Sequence, residues 1–142
     1  MFGVLIALLS GALMSIQGVF NTAVTKASSV WVAAGFVQLT AFLTCVAAGH
    51  FTGLESVSAL LQVEPRYMLL GGVMGAFITY TVIKAMGSLG PARAAMLIVV
   101  AQVAVAYVIE LFGMFGVEKA AFEWHKLLGL ALSIGGIIIF KW

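Results

Sequence analysis

The stretch FGVLIALLSGALMSIQGVFNTAV, Phe2 to Val24, carries no charged side chain. At about 1.5 Å of rise per residue, it is long enough to cross the roughly 30 Å hydrocarbon core of a bilayer as a helix. The same template fits four more places. VWVAAGFVQLTAFLTCVAAG runs from Val30 to Gly49, joined to the first span by the tight link Lys26 to Ser29, and a third span runs from Tyr67 to Met86. Pro65 restricts the residue before it and marks the entry to that third span. Pro91, a favoured first-turn residue, opens a fourth that continues to Gly113. The fifth, Leu127 to Phe140, is short, but Lys126 and Lys141 bracket it with stems that can snorkel, and Trp124 and Trp142 supply aromatic anchors at opposite headgroup levels. The expected fold is an all-α integral membrane protein with five transmembrane helices in a single domain, residues 1–142, with spans near 2–24, 30–49, 67–86, 91–113 and 127–140.

Composition agrees. Of 142 residues, 63% are hydrophobic and 8% charged, against about 25% charged in a soluble domain, and the mean hydropathy is +1.19. These values exclude a soluble enzyme. The seven Lys and Arg are scattered singly, with no basic patch for nucleic acid. Cys45 stands alone in an apolar run, so neither an intrachain disulfide nor a multi-thiolate metal site is expected, and packing is its ordinary role. Met1 to Ser10 lacks the positive region of a cleaved signal peptide, and the apolar run continues to Phe20, which marks it as mature structure. His50 and His125 have no partners at metal-ligand spacing, and neither a nucleophile elbow nor a phosphate loop is present. No cofactor and no catalysis are expected.

The two longer connections suggest short interfacial helices. Between His50 and Arg66, Leu54, Val57, Leu60 and Leu61 alternate with Glu55, Ser56 and Ser58 at helical spacing, and Val117 to Lys126 is similar around Phe122 and Trp124.

Five spans assign every basic residue to a face of the membrane. Lys26, Lys84, Arg93 and Lys141 fall on one side and Arg66, Lys119 and Lys126 on the other. Orientation follows an excess of Lys and Arg on the cytoplasmic side, and four against three is barely an instruction. That balance predicts dual topology, with oppositely inserted copies pairing antiparallel about a two-fold axis in the membrane plane; orientation by the first span or by a partner is the alternative. Small residues mark packing seams: Gly71 and Gly75, extended by Thr79, in the third span, and Gly129, Ser133 and Gly136 on one face of the fifth. The third-span seam suits intrachain packing as well as a dimer; the fifth suits a dimer, because a last short helix has fewer neighbours of its own.

Polar groups in hydrocarbon need a partner or a wet cavity. Ser10, Met14, Gln17 and Asn21 lie at i, i+4, i+7 and i+11, one stripe of the first span. Gln17 and Asn21 both donate and accept, so they can line a cavity and hold a polar substrate. The competing role is an interhelical hydrogen bond, worth about 1 kcal/mol or less. Glu110 is the only carboxylate inside a span, but about 28 Å along its helix it sits near the exit end, where a solvated interfacial role competes with proton carriage. Gln102, two turns earlier and about 80° away around the helix, can face the same cavity. Tyr107, Tyr80 and Thr81 are further candidate liners. Gln38, Thr40 and Thr44 are polar points of the second span, and Thr hydroxyls can bond their own backbone. Lys84 and Arg93 flank a turn, Met86 to Pro91, punctuated by Gly87 and Gly90, and both are expected to snorkel to the interface.

Taken together, the run Ser10 to Asn21, the turn Gly87-Ser-Leu-Gly90-Pro-Ala, the run Ala101-Gln102 through Glu110-Leu-Phe-Gly113-Met-Phe-Gly116 and the closing Leu128-Gly to Gly136 form one pattern over nearly the whole chain. It resembles the small YdcZ-like branch of the drug/metabolite transporter superfamily, whose units occur as dual-topology proteins, oppositely oriented pairs and fused repeats. The resemblance implies a bacterial-type inner-membrane transporter of small molecules acting as an antiparallel dimer, either a homodimer or a heterodimer with a homologue. The four-span small multidrug exporters of that superfamily depend on a first-span carboxylate for proton-coupled export. Gln17 occupies that region here, so the resemblance does not extend to that mechanism. Where the family pattern has Asp followed by His, this chain has Glu110 followed by Leu111.

The expected function is therefore alternating-access transport of a small polar or weakly charged metabolite or drug, its substrate site drawn from Gln17, Asn21, Gln102, Tyr107 and Glu110. Small-molecule substrate and membrane lipid are the expected partners, besides the second copy. A non-transporting scaffold that pairs with an oppositely oriented homologue is the alternative.

Overall fold

A computed structural model of the protein describes residues 1–53 and 57–141. Leu54, Glu55, Ser56 and the Trp142 anchor lie outside the described residues, as do the side chains of Val57 and Lys141. The described chain is helical: α1 Phe2–Ala27, α2 Val30–Thr52, α3 Gly71–Leu89, α4 Pro91–Phe112 and α5 Trp124–Lys141, with 3-10 helices at Val57–Gln62, Arg66–Leu70 and Met114–Gly116. Four of the apolar helices are long enough to cross a membrane, and the fifth is shorter. With 18 residues, α5 is about 27 Å long. It begins at Trp124, one turn before the apolar run, which extends a stretch that looked short.

Two compact units divide the chain, Met1–Ser88 and Leu89–Trp142. In the first, α1 ends at Ala27 and only Ser28 and Ser29 separate it from α2. Ser29 caps α2, its hydroxyl accepting from the Val32 N–H at 3.2 Å, which satisfies an end-of-helix donor and contributes about 1 kcal/mol. Gly18, Asn21, Ala33, Ala34, Ile83 and Met86 are its buried residues. Trp31 stacks on Tyr80 at 4.5 Å and meets Phe77 edge-on at 6.3 Å, tying α2 to α3. Gly18 is where side chain meets backbone: a Cβ there would run into the sulfur and terminal methyl of Met86.

In the second unit, Gly90 (φ 81°) turns the chain into Pro91, which opens α4 where a missing N–H costs nothing. Gly113 ends α4 in the left-handed region, its N–H donating to the Glu110 and Ile109 carbonyls, and α4 packs against α5. Along all five helices large apolar side chains stay exposed, Phe112 at 71% and Leu132 at 76% among them. Each would cost about 1.5–3 kcal/mol in water; in hydrocarbon it costs nothing. The hydroxyls that a bilayer would penalise are satisfied inside their own helices. Ser15, Thr22, Thr25, Thr44 and Ser133 each donate to the carbonyl four residues earlier at 2.8–3.1 Å.

Val57–Gln62 is a short helix of the 3-10 kind. Two local expectations are corrected. Val117 to Glu123 is not helical, because its backbone is engaged elsewhere: the Ala120 N–H donates to the Glu110 carbonyl at 2.9 Å, and the Tyr107 hydroxyl holds Glu123. Gly87 is not part of a turn, since α3 continues to Leu89 and Gly90 alone separates it from α4.

Candidate functional site

The polar stripe of α1 borders a cleft. Between α1 and α2 lies a cavity of about 710 Å³, lined from α1 by Leu13, Met14, Ile16, Gln17, Phe20, Asn21 and Val24, and from α2 by Phe36, Val37, Thr40, Ala41, Thr44 and Cys45. Three of the four stripe residues, Met14, Gln17 and Asn21, are on its wall. Gln17 is exposed and Asn21 only 6% exposed, so the two amides stand at different depths. No charged side chain lines this cleft. Thr40 and Thr44 donate their hydroxyl protons to α2 carbonyls and keep lone pairs available to a ligand. Cys45, expected as packing, is exposed on the same wall. A volume of this size is within the roughly 300–1,000 Å³ range of small-molecule sites, which are mostly apolar with a few placed polar groups.

Within residues 89–142, a second cleft of about 480 Å³ is lined by Val103, Ala106, Tyr107, Glu110, Lys126, Gly129, Leu130 and Ser133. Glu110 occupies the last turn of α4, where the helix dipole disfavours a negative charge. Lys126 compensates: its ammonium is 3.3 Å from the Glu110 carboxylate and 3.5 Å from that of Glu123, and 5.5 Å from the centre of the Tyr107 ring. The Lys126 and Glu110 side chains are 38% and 44% exposed, so water screens the pair and it adds little to stability. Two carboxylates against one ammonium leave the cluster with an excess negative charge. The Tyr107 hydroxyl accepts from the Glu123 N–H at 3.1 Å and is 3.3 Å from its carbonyl, to which it donates. Tyr107 is therefore both a liner of the cleft and the clasp of the α4–α5 loop.

Tyr107 and Glu110 thus share a cleft, and Gln17 and Asn21 share another; Gln102 is exposed on α4 and lines neither. Of the small residues, Gly75 faces the Gln38 amide, which would sit 3.0 Å from an added Cβ, while Gly71, Gly129 and Gly136 have open space beside them in the single chain. Gly129 and Ser133 edge the α4–α5 cleft. Lys126 as the partner of Glu110 and Gly18 as a close approach were not evident from sequence. The first pairing crosses a loop at a separation of 16 residues, which no helical period reports.

Apolar helices of membrane length, carrying their large side chains outward and enclosing uncharged and charged clefts, define a polytopic helical membrane protein. Residues 2–139 match the family described as "Putative inner membrane exporter, YdcZ", and the chain belongs to that family. It is an inner-membrane protein of an exporter family, a class of transporters and not of enzymes. Neither the curated proteins nor the solved structures contain a match.

Proposed function

We propose that this chain is a small-molecule transporter that works by alternating access as an antiparallel dimer of single five-helix transmembrane domains. The observation that carries the reading is the 710 Å³ cleft with Gln17 and Asn21 on an otherwise mostly apolar wall. Two amides in such a wall recognise a small polar or weakly charged molecule by hydrogen bonds, and the absence of a fixed charge on that wall favours neutral over strongly ionic groups. Tyr107 and Glu110 form the second element of the substrate path, Gln102 is assigned to that path as an exposed polar group outside both clefts, two turns before Glu110 on α4, and the excess negative charge around Lys126 makes that region tolerant of weak cations. The four-against-three charge balance supports insertion both ways. The open faces at Gly71, Gly129 and Gly136, with Ser133 beside the last two on α5, are the contact surfaces assigned to the second copy, while Gly75 packs within the chain against Gln38.

The test is flux in proteoliposomes holding the purified protein, screened with neutral, zwitterionic and weakly cationic solutes. Gln17→Leu and Asn21→Leu are each expected to lower flux of the accepted solute at least tenfold while the protein keeps its fold. Undiminished flux in both variants removes the site assignment. No flux from the isolated chain, together with stoichiometric co-purification of an oppositely oriented homologue, supports the scaffold alternative.

A further inference from the structure

We propose that a third cleft, at the cytosol-level or periplasm-level ends of α1 and α3, is a binding site for a phosphate-type anion. The cavity, about 330 Å³, is lined by Thr22, Thr25 and Lys26 of α1, Val30 of α2, and Ile83, Lys84, Gly87 and Ser88 of α3. From sequence, Lys84 is grouped with Arg93 across a turn; the fold instead gives Lys84 and Lys26 a common cleft. No carboxylate lines it, and among the described residues the ion pairs are those of Lys126, so neither lysine pairs with a described acid. Lys84 reaches back over the Tyr80 ring at 5.9 Å.

The helix ends do not cancel this charge. Each terminus carries about half a unit; the C-terminal ends of α1 and α3 outweigh the N-terminal end of α2 by about half a negative charge, so the two ammonium groups still leave an excess of about one and a half positive charges. The hydroxyls of Thr22, Thr25 and Ser88 donate to the Gly18, Asn21 and Lys84 carbonyls at 2.7–2.8 Å, which assigns the donor role to the two ammonium groups, with three N–H bonds each. Two like charges on one cleft repel, and a doubly hydrogen-bonded oxyanion relieves that repulsion. A phosphate group meets these requirements, whether carried by an anionic lipid headgroup or free in solution.

The protein is reconstituted in nanodiscs of phosphatidylcholine, alone or with phosphatidylglycerol, and separately titrated with inorganic phosphate in phosphatidylcholine discs. A rise in Tm of a few degrees with phosphatidylglycerol, largely lost in Lys26→Gln and in Lys84→Gln but kept in Lys119→Gln, is the expected result and identifies a headgroup. The same pattern with inorganic phosphate identifies a free anion. No rise with either probe, or an equal rise in all three variants, overturns the site. Should a glutamine variant not fold, nitrogen NMR of the wild-type lysine side chains decides. Shifts confined to Lys26 and Lys84 on adding either probe support the site, and shifts spread equally over Lys119 overturn it.

Discussion

A glycine's contribution is clearest where something fills the space it leaves. Gly18 lets the Met86 thioether lie against the α1 backbone, and because the tip of a methionine is flexible, Gly18→Ala is expected to cost little. Gly18→Leu demands more room than that tip can yield and should destabilise by about 1–3 kcal/mol. Thermal unfolding of the detergent-solubilised protein checks this, and adding Met86→Ala should recover part of the loss, with a coupling of about 1 kcal/mol. Strictly additive effects would show that the two side chains do not share the space. No periodicity in the sequence announces this contact. Gly18 falls beside the polar stripe of Gln17 and Asn21, and a seam of one glycine against one methionine carries no repeat, in contrast to Gly71 and Gly75, which were legible and of which only Gly75 has a neighbour.

At the scale of elements, the α4–α5 connection is held by hydrogen bonds that only the fold brings together. Gly113 adopts φ 64°, and a Cβ there would lie 3.2 Å from Lys119 Cβ; Gly113→Ala combines a left-handed backbone with that crowding and should cost about 1–2 kcal/mol. Tyr107→Phe removes the hydroxyl that clasps Glu123, a loss of about 1 kcal/mol. Both variants should speed amide hydrogen exchange across 114–123 while leaving α1 and α2 unchanged; an unchanged rate in Tyr107→Phe would mean that the clasp does not hold the loop. The position of Glu110 near the end of its helix was legible by counting residues from Pro91. Its engagement by Lys126 was not, because that depends on how Val117 to Glu123 folds back, and this stretch read as a helix. A hydrophobic period records which face a segment could bury, and it is silent on whether the backbone's hydrogen bonds have been taken by a tyrosine or a carbonyl elsewhere.

For the whole molecule, the charge balance makes a prediction about insertion. In a Cys45→Ala background with Glu118→Cys on the exposed α4–α5 loop, an impermeant thiol reagent applied to each side of the membrane should label near-equal fractions. Adding Lys119→Gln turns four against three into four against two and should drive labelling strongly to one side. Labelling from one side in the parent protein would end the dual-topology proposal and point to an oppositely oriented partner.

By itself the sequence determined that this protein lives in lipid, where its long helices lie along the chain and which residues form the polar stripe of α1. Those follow from hydropathy, helical rise and side-chain period, which are local and additive. Tertiary structure alone decided that Gln17 and Asn21 border a cleft with Thr40 and Thr44, that Glu110 meets Lys126, and that Lys26 joins Lys84. These are meetings between groups far apart in sequence, made when helices already formed pack side by side. In a bilayer the hydrophobic effect does not choose among such packings, and the choice falls to van der Waals fit and hydrogen bonding.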